Sequence, residues 1–291
     1  MDSEGLYSGE FLQQLQTNIF TDPRVVLAIL SFTFANWFFE VFKWKILLRS
    51  VRKVSFFEAF KQSTSSLTAS LLTPNRIGEY GAKAIYFNRY QRKKVMFLNL
   101  IGNLSQMLIT VIFGLLGFAF LYNILNFTVD LQNLYSSLFV GLFFLSVLLL
   151  YRFRHTIQTR FITKIVVYFN DIPADDLKNS IWFSLFRYLI FSHQFYFLLM
   201  FFGVELDYFT AMGAIFSMYF IASVIPGFVI FDFIVKGSVA ISVFGLFHIS
   251  EVVVLGVTTI MWLLNFALPA IIGSYYVFAF ELPKPAKVIV K

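Results

Sequence analysis

Residues 71–87 read LLTPNRIGEYGAKAIYF and lie between strongly apolar stretches of the chain. Within ten positions they contain one proline and three charged residues: Pro74, Arg76, Glu79 and Lys83. Proline has no N–H donor and disfavours helix at the preceding residue, so Pro74 should end one half-helix and let another begin. Glu79 and Lys83 stand four residues apart, which places them on one face of the second half-helix, where they can pair.

The composition around this stretch indicates an integral membrane protein. Of the 291 residues, 58% are hydrophobic and 13% are charged, whereas a soluble domain has about 25% charged residues. No polar stretch is long enough to bury a core of its own. The net charge of +7 fits the cytoplasmic excess of Lys and Arg in membrane proteins better than nucleic-acid binding. The chain has no cysteine, which excludes disulfides and thiolate chemistry.

Long apolar runs predict the membrane-spanning helices, which need about 20 residues each. An amphipathic helix on the membrane surface is predicted where Ile157, Phe161, Ile165 and Phe169 recur every fourth residue among basic side chains. The predicted spans are 25–48, one within 95–129, 131–151, 180–202 and one within 252–280. This organisation predicts a polar N-terminal segment (1–24), a transmembrane domain (25–283) and a basic cytoplasmic tail (284–291).

Charge asymmetry then predicts which ends face the cytoplasm. Basic clusters, which favour the cytoplasmic side, occur at 49–53, 89–94, 152–164 and 284–291. Acidic segments, expected on the outer side, occur at 1–24, 123–133, 203–208 and 248–251.

Two segments, 55–94 and 208–247, are not clean spans, and each begins and ends on one side by this charge rule. We therefore predict that both are re-entrant broken-helix hairpins, entering the membrane from opposite faces. The fold class predicted is an all-α, multi-pass helical bundle of two inverted repeats. Such repeats place substrate sites near the bilayer midplane, where broken helices meet.

The second break resembles the first. It reads IPGFVIFDFIVKGS, with Pro226 and Gly227 followed by Asp232 and, four residues later, Lys236. In each hairpin the second half-helix would point its positive N-terminal end into the membrane, which favours an anion. The alternative is that the prolines only kink helices and the charges only pair with each other.

Three motifs make the chain resemble a known family, the flippase-like transmembrane region of lysylphosphatidylglycerol synthases and its stand-alone relatives. They are FKWKILLR (42–49), PNRIGEYGAKAIYF (74–87) and ASVIPGFVIFDFIVKG (222–237), and their order fits across residues 25–280. The sequence departs from the family pattern at Lys83, where arginine is usual, and in PGFVIFD, which lacks the glycine-rich form. The family's usual first membrane helix also has no counterpart in residues 1–24.

The resemblance implies the membrane part alone, because no soluble synthase domain follows, so we expect no enzyme activity, no cofactor and no metal. It implies binding of an anionic lipid, a phospholipid or polyprenyl phosphate, and its movement between leaflets, in what we expect to be a bacterial inner membrane. The alternatives are a non-catalytic partner of a separate lipid-modifying enzyme, or a membrane-embedded transferase with Glu79 or Asp232 as general base. Assembly as a homo-oligomer is also open.

The predicted substrate-binding set extends beyond the two breaks to Arg187, because an arginine inside a predicted span is costly and usually faces a cavity or a partner. Its partner could be Asp232 or Glu79, or it could bind a phosphate directly. Asn103 and Gln106 are predicted to bond to neighbouring helices, and His193 to hold a packing role. The full predicted set is Arg76, Glu79, Lys83, Arg187, Asp232 and Lys236, with the structural breaks at Pro74, Gly78, Pro226 and Gly227.

Overall fold

The computed structural model describes residues 22–71, 73–74, 76–125, 159–225 and 231–281. Its α-helices are α1 (Pro23–Leu47), α2 (Phe56–Ser70), α3 (Ile77–Ile85), α4 (Arg92–Leu125), α5 (Thr159–Asn170), α6 (Ala174–Phe201), α7 (Tyr208–Val224), α8 (Asp232–Gly245), α9 (Glu251–Trp262) and α10 (Leu268–Phe278). The predicted span 131–151, the break residues Pro226 and Gly227, and both chain ends lie outside the described residues.

Helices α1 and α2 begin where polar side chains satisfy free backbone N–H groups. Asp22 accepts a hydrogen bond from the backbone N–H of Arg24 at 2.9 Å, directly before Pro23 opens α1. Ser55 accepts from the N–H of Glu58 at 3.1 Å at the start of α2. Since helix starts otherwise leave these donors unsatisfied, the caps explain why the chain turns into helix at these points.

Within the described residues, three helical rods are long and apolar enough to cross a bilayer: Pro23–Ser50, Arg92–Leu125 and Glu251–Phe278. The last consists of α9 and α10, which continue one another through a π-helical turn at Leu263–Ala267. All three coincide with predicted spans. Helix α6 is of similar length but carries Arg187 in its interior. The described part of the chain is therefore a helical membrane bundle, as the composition predicts.

Each of the two irregular segments contains two described helices that pack against each other, α2 with α3 and α7 with α8. The predicted interruption of helix is present at Pro74, between α2 and α3. In the second segment α7 ends at Val224, Ile225 is extended and α8 begins at Asp232, and the predicted break at Pro226 and Gly227 lies outside the described residues. A helix, α5, is present where the amphipathic surface helix is predicted, with Ile165, Val166 and Phe169 exposed and Tyr168 packed against the ring of Phe97.

The buried apolar side chains form two clusters, one towards each end of the bundle. One cluster contains Trp44, Leu47, Leu98 and their neighbours from the C-terminal end of α1 and the start of α4. The other contains Phe195, Ile215, Phe244 and their neighbours from the end of α6 and from α7–α9. Polar and charged side chains occupy the layer between the two clusters, and the candidate site lies there.

Candidate functional site

The first break is held together by Thr73. Its hydroxyl donates to the carbonyl of Ser70 at 3.0 Å and accepts from the N–H of Gly78 at 2.9 Å, which links the end of α2 to the start of α3. A Cβ on Gly78 would lie 2.6 Å from the carbonyl oxygen of Ala69, so only glycine fits there. Arg76 caps α3 in the left-handed region, at φ 59°, which costs about 1–2 kcal/mol for a residue other than glycine.

Beside this turn stands a first group of three charged residues, which we call the Glu79 triad: Arg76, Glu79 and Lys83. The Glu79 carboxylate lies 3.0 Å from the Arg76 guanidinium and 2.7 Å from the Lys83 ammonium. Lys83 also donates to the Asn99 side chain at 2.7 Å and lies 4.4 Å from the ring centroid of Trp44. The predicted pairing of Glu79 with Lys83 is present, and both residues are 2% exposed.

A second group has the same composition, and we call it the Glu40 triad: Arg187, Glu40 and Lys43. The Glu40 carboxylate lies 2.7 Å from the Arg187 guanidinium and 2.7 Å from the Lys43 ammonium. The prediction named Asp232, Glu79 or a phosphate as the partner of Arg187; among the described side chains the carboxylate that pairs with it is Glu40 and not Glu79. The reason is packing, because α6 lies along α1 and brings Arg187 to Glu40.

A chain of amide side chains continues from the Glu40 triad. Asn36 accepts from Nε of Arg187 at 3.1 Å and donates to Asn265 at 2.8 Å. The Asn265 side chain in turn donates to the Gln194 side chain at 3.0 Å. The backbone carbonyl of Asn265 accepts from the Trp37 indole N–H at 3.2 Å. A π-helical turn interrupts the regular α-helical pattern of backbone hydrogen bonds. The π-helical turn at Leu263–Ala267 therefore explains how the backbone carbonyl of Asn265 can accept from a side chain.

These groups border a cavity of about 520 Å³. Its cations come from three different elements, Arg76 from the first break, Arg187 from α6 and Lys236 from α8, and Ile225 at the second break also reaches it. The remaining lining residues are Asn36, Glu40, Tyr80, Asn103, Gln106, Met107, Thr110, Tyr188, Phe191, Tyr219, Ala222, Ser223, Val235, Asn265 and Phe266. The volume lies in the range of small-ligand sites.

The predicted residues take different places around this cavity. Glu79 and Lys83 lie behind Arg76 and do not line the cavity. The Lys236 ammonium lies 4.7 Å from the ring centroid of Phe266, inside the cavity wall. Asp232 opens α8, and only its backbone is described. Pro74 is exposed at the first turn.

The other polar predictions can be placed as well. Asn103 donates to the Tyr80 hydroxyl at 3.2 Å, and Gln106 accepts from Arg187 at 3.4 Å, so both bond between helices as predicted. His193 contacts the Tyr208 hydroxyl at 2.9 Å, away from the cavity lining. Within the described ranges, His, Asp and Glu side chains form no group of three that could hold a metal ion.

Sequence reasoning missed the Glu40 triad and the amide chain. Glu40 and Lys43 lie near the C-terminal end of the first predicted span, 25–48. Their opposite charges three residues apart, close behind an apolar run, could have marked them as a pair. Asn265 is a neutral polar residue in the predicted span within 252–280, which has no charged residue, and a polar side chain there usually bonds to another helix.

The comparisons with known proteins support one family. Residues 9–273 match the family model described as the lysylphosphatidylglycerol synthase TM region. No curated protein and no solved structure matches the chain significantly. Because the family match spans nearly the whole chain, and the described helices are long and apolar, the chain is an integral membrane protein that belongs to the family of the lysylphosphatidylglycerol synthase TM region.

Proposed function

We propose that this protein binds the anionic head group of a lipid in the central cavity and moves the lipid between the two leaflets. The observation that carries the proposal is the cavity itself, which is lined by three cationic side chains from three separate elements. The lipid would be a phospholipid or a polyprenyl phosphate.

The depth of the cavity supports this role. Asn36 and Arg187 lie near the middle of α1 and α6, so each is roughly 20 Å from its helix ends at a rise of about 1.5 Å per residue. A head group passing between leaflets must cross this depth. Cations held there are costly, at least about 2.5 kcal/mol each at the membrane centre, and an anionic head group would offset that cost.

The packing supports an inverted repeat, which we propose as the framework of transport. Helices α1–α4 and α6–α10 have the same order of long helix, short broken pair and long helix. In this order α1 corresponds to α6, α2–α3 to α7–α8, and α4 to α9–α10. The contacts between the units follow the same correspondence: α4 packs against α7, α10 packs against α2, and α1 packs against α6. In the proposed topology, both broken pairs are re-entrant and their tips meet at the cavity.

The burial of Glu79 favours transport over a transferase. A general base must come within hydrogen-bond reach of the proton that it removes. Glu79 is 2% exposed and already holds two cations, so it is poorly placed for that task. This arrangement instead supports a structural role, in which Glu79 positions Arg76 at the cavity.

A lipid-scrambling assay in proteoliposomes tests the proposal. Purified protein should accelerate the movement of a labelled anionic phospholipid between leaflets, and Arg76→Ala and Arg187→Ala should slow it by at least about tenfold, since a charged hydrogen bond contributes about 1.5–3 kcal/mol. Arg89→Ala is the matched control, because Arg89 is exposed between α3 and α4 and does not line the cavity. If wild type and both cavity variants moved labelled phospholipid and polyprenyl phosphate no faster than empty liposomes, the proposal would be wrong.

A further inference from the structure

We infer that the cavity selects a lipid with a terminal phosphate, a phosphate monoester, over a phosphodiester lipid. This inference rests on the proposed head-group site and adds the charge state of its ligand. It follows from how the charged side chains around the cavity are grouped.

Each triad contains two cations and one carboxylate, so each has a net charge of +1. In both, the carboxylate is shared between an arginine that lines the cavity and a lysine buried behind it. Lys43 is 3% exposed and Lys83 is 2% exposed. The lysines therefore prevent each carboxylate from fully neutralising its arginine.

In formal charge the second break is neutral, because Lys236, which lines the cavity, follows Asp232 by four residues in the sequence. Among the residues that the structure describes around the cavity, each triad therefore contributes one uncompensated positive charge. A phosphate monoester has a charge of about −1.5 to −2 near neutral pH, whereas a phosphodiester has a charge of about −1. Only the charge of the monoester comes close to balancing the net charge of +1 on each of the two triads.

The donors that face the cavity fit the same ligand. Arg76 and Arg187 each present a planar guanidinium fork, which binds pairs of phosphate oxygens. A monoester offers three terminal oxygens to two such forks, and a diester offers two. Glu40 is the described carboxylate in the lining, and it is already held by Arg187 and Lys43, so it gives little attraction to a head-group ammonium.

The test compares two lipids that differ by one methyl group: phosphatidic acid and phosphatidylmethanol with identical acyl chains. Methylation turns the monoester into a diester and removes one charge with little change in size. Purified protein in phosphatidylcholine nanodiscs is offered both lipids, and the bound ratio is read by native mass spectrometry. We expect phosphatidic acid to be preferred by at least about tenfold, the factor for one charge-assisted hydrogen bond.

Variants of the buried lysines identify the cause of that preference. Lys43→Met and Lys83→Met each remove one positive charge without altering the cavity lining, and each should bring the two lipids to within about threefold of each other. Lys45→Met is the matched control, since Lys45 lies two residues from Lys43, packs on the Phe42 ring at 5.4 Å and should leave the preference intact. If one lysine variant fails to fold, the other variant and the ratio of the two lipids bound by wild type still test the inference.

Equal binding of the two lipids by wild type would overturn the inference, and so would an undiminished preference in the folded lysine variants. Because the readout is binding, its failure is distinct from failure of transport. A protein that scrambles both lipids but binds them equally keeps the proposed function and loses this inference. A protein that prefers phosphatidic acid but moves no lipid keeps this inference and loses the proposed function.

Discussion

Glu79 and Glu40 hold similar positions in the molecule, each between a cavity arginine and a buried lysine. This arrangement explains how two arginines can face an open space inside the bundle. Each guanidinium is positioned by a carboxylate that is itself fixed from behind. The carboxylates therefore govern both the stability of the layer and the direction in which the arginines point.

Replacing Glu79 tests whether its carboxylate stabilises the charged side chains around it. Glu79→Gln leaves Arg76 and Lys83 without their shared anion inside the protein, and breaking a buried ion pair in this way costs about 3–5 kcal/mol. We expect a clear loss of thermal stability in detergent, measured as the unfolding midpoint.

The control is Glu58→Gln, because Glu58 pairs with Arg52 in a partly exposed position, where an ion pair contributes about 0–1 kcal/mol. The double variant Glu79→Gln with Lys83→Met should recover part of the loss, since it removes one of the two unpaired cations. Equal midpoints for the two single variants would contradict the role given to Glu79.

The pairing of Glu79 with Lys83 could be predicted, because four residues of helix place them together whatever the rest of the chain does. The partner of Arg187 could not, because Glu40 is distant in sequence and meets it only through the packing of α6 on α1. Local spacing predicts local pairs, whereas contacts between helices depend on how the whole bundle packs.

At the scale of elements, close approach at two glycines allows the helices of one unit to pack on those of the other. A Cβ on Gly117 of α4 would lie 2.7 Å from the Gly213 carbonyl oxygen of α7. A Cβ on Gly273 of α10 would collide with the Thr64 carbonyl of α2. Small residues at such contacts are typical of membrane helices that pack backbone to backbone.

Gly117→Ala and Gly273→Ala should each push one of these helix pairs apart and lower stability by about 1–3 kcal/mol, the usual cost of overpacking. The measurement is the unfolding midpoint in detergent. Gly81→Ala in α3 is the matched control, since a Cβ there meets nothing within 4 Å and alanine favours helix by up to about 1 kcal/mol. If Gly81→Ala lowered the unfolding midpoint as much as Gly117→Ala and Gly273→Ala, the loss of stability would not come from the close helix contacts at Gly117 and Gly273.

The elements themselves were largely predictable from apolar runs and from Pro74, which interrupts helix between α2 and α3. Two features could not be predicted from the sequence. The rod from Glu251 to Phe278 contains a π-helical turn that no residue pattern announced. The cavity needs side chains from several helices at once, so its existence could be argued from the two breaks but its lining could not be derived.

At the scale of the whole molecule, the proposed topology places both ends of each broken pair on one side of the membrane. The chain contains no cysteine, so single cysteines can report sidedness without further changes. Suitable positions are exposed and flank the pairs: Lys53 and Tyr90 around α2–α3, and Glu205 and Glu251 around α7–α8.

We expect Glu205→Cys and Glu251→Cys to react with a membrane-impermeant maleimide on intact cells, and Lys53→Cys and Tyr90→Cys to react only after permeabilisation. This follows because the acidic flanks of α7–α8 are assigned to the outer side and the basic flanks of α2–α3 to the cytoplasm. If each pair crossed the membrane once, its two flanking cysteines would label from opposite sides. That result would remove the re-entrant hairpins and, with them, the inverted relation between the two units. The cavity would remain, but the two breaks could no longer reach it from opposite faces of the membrane.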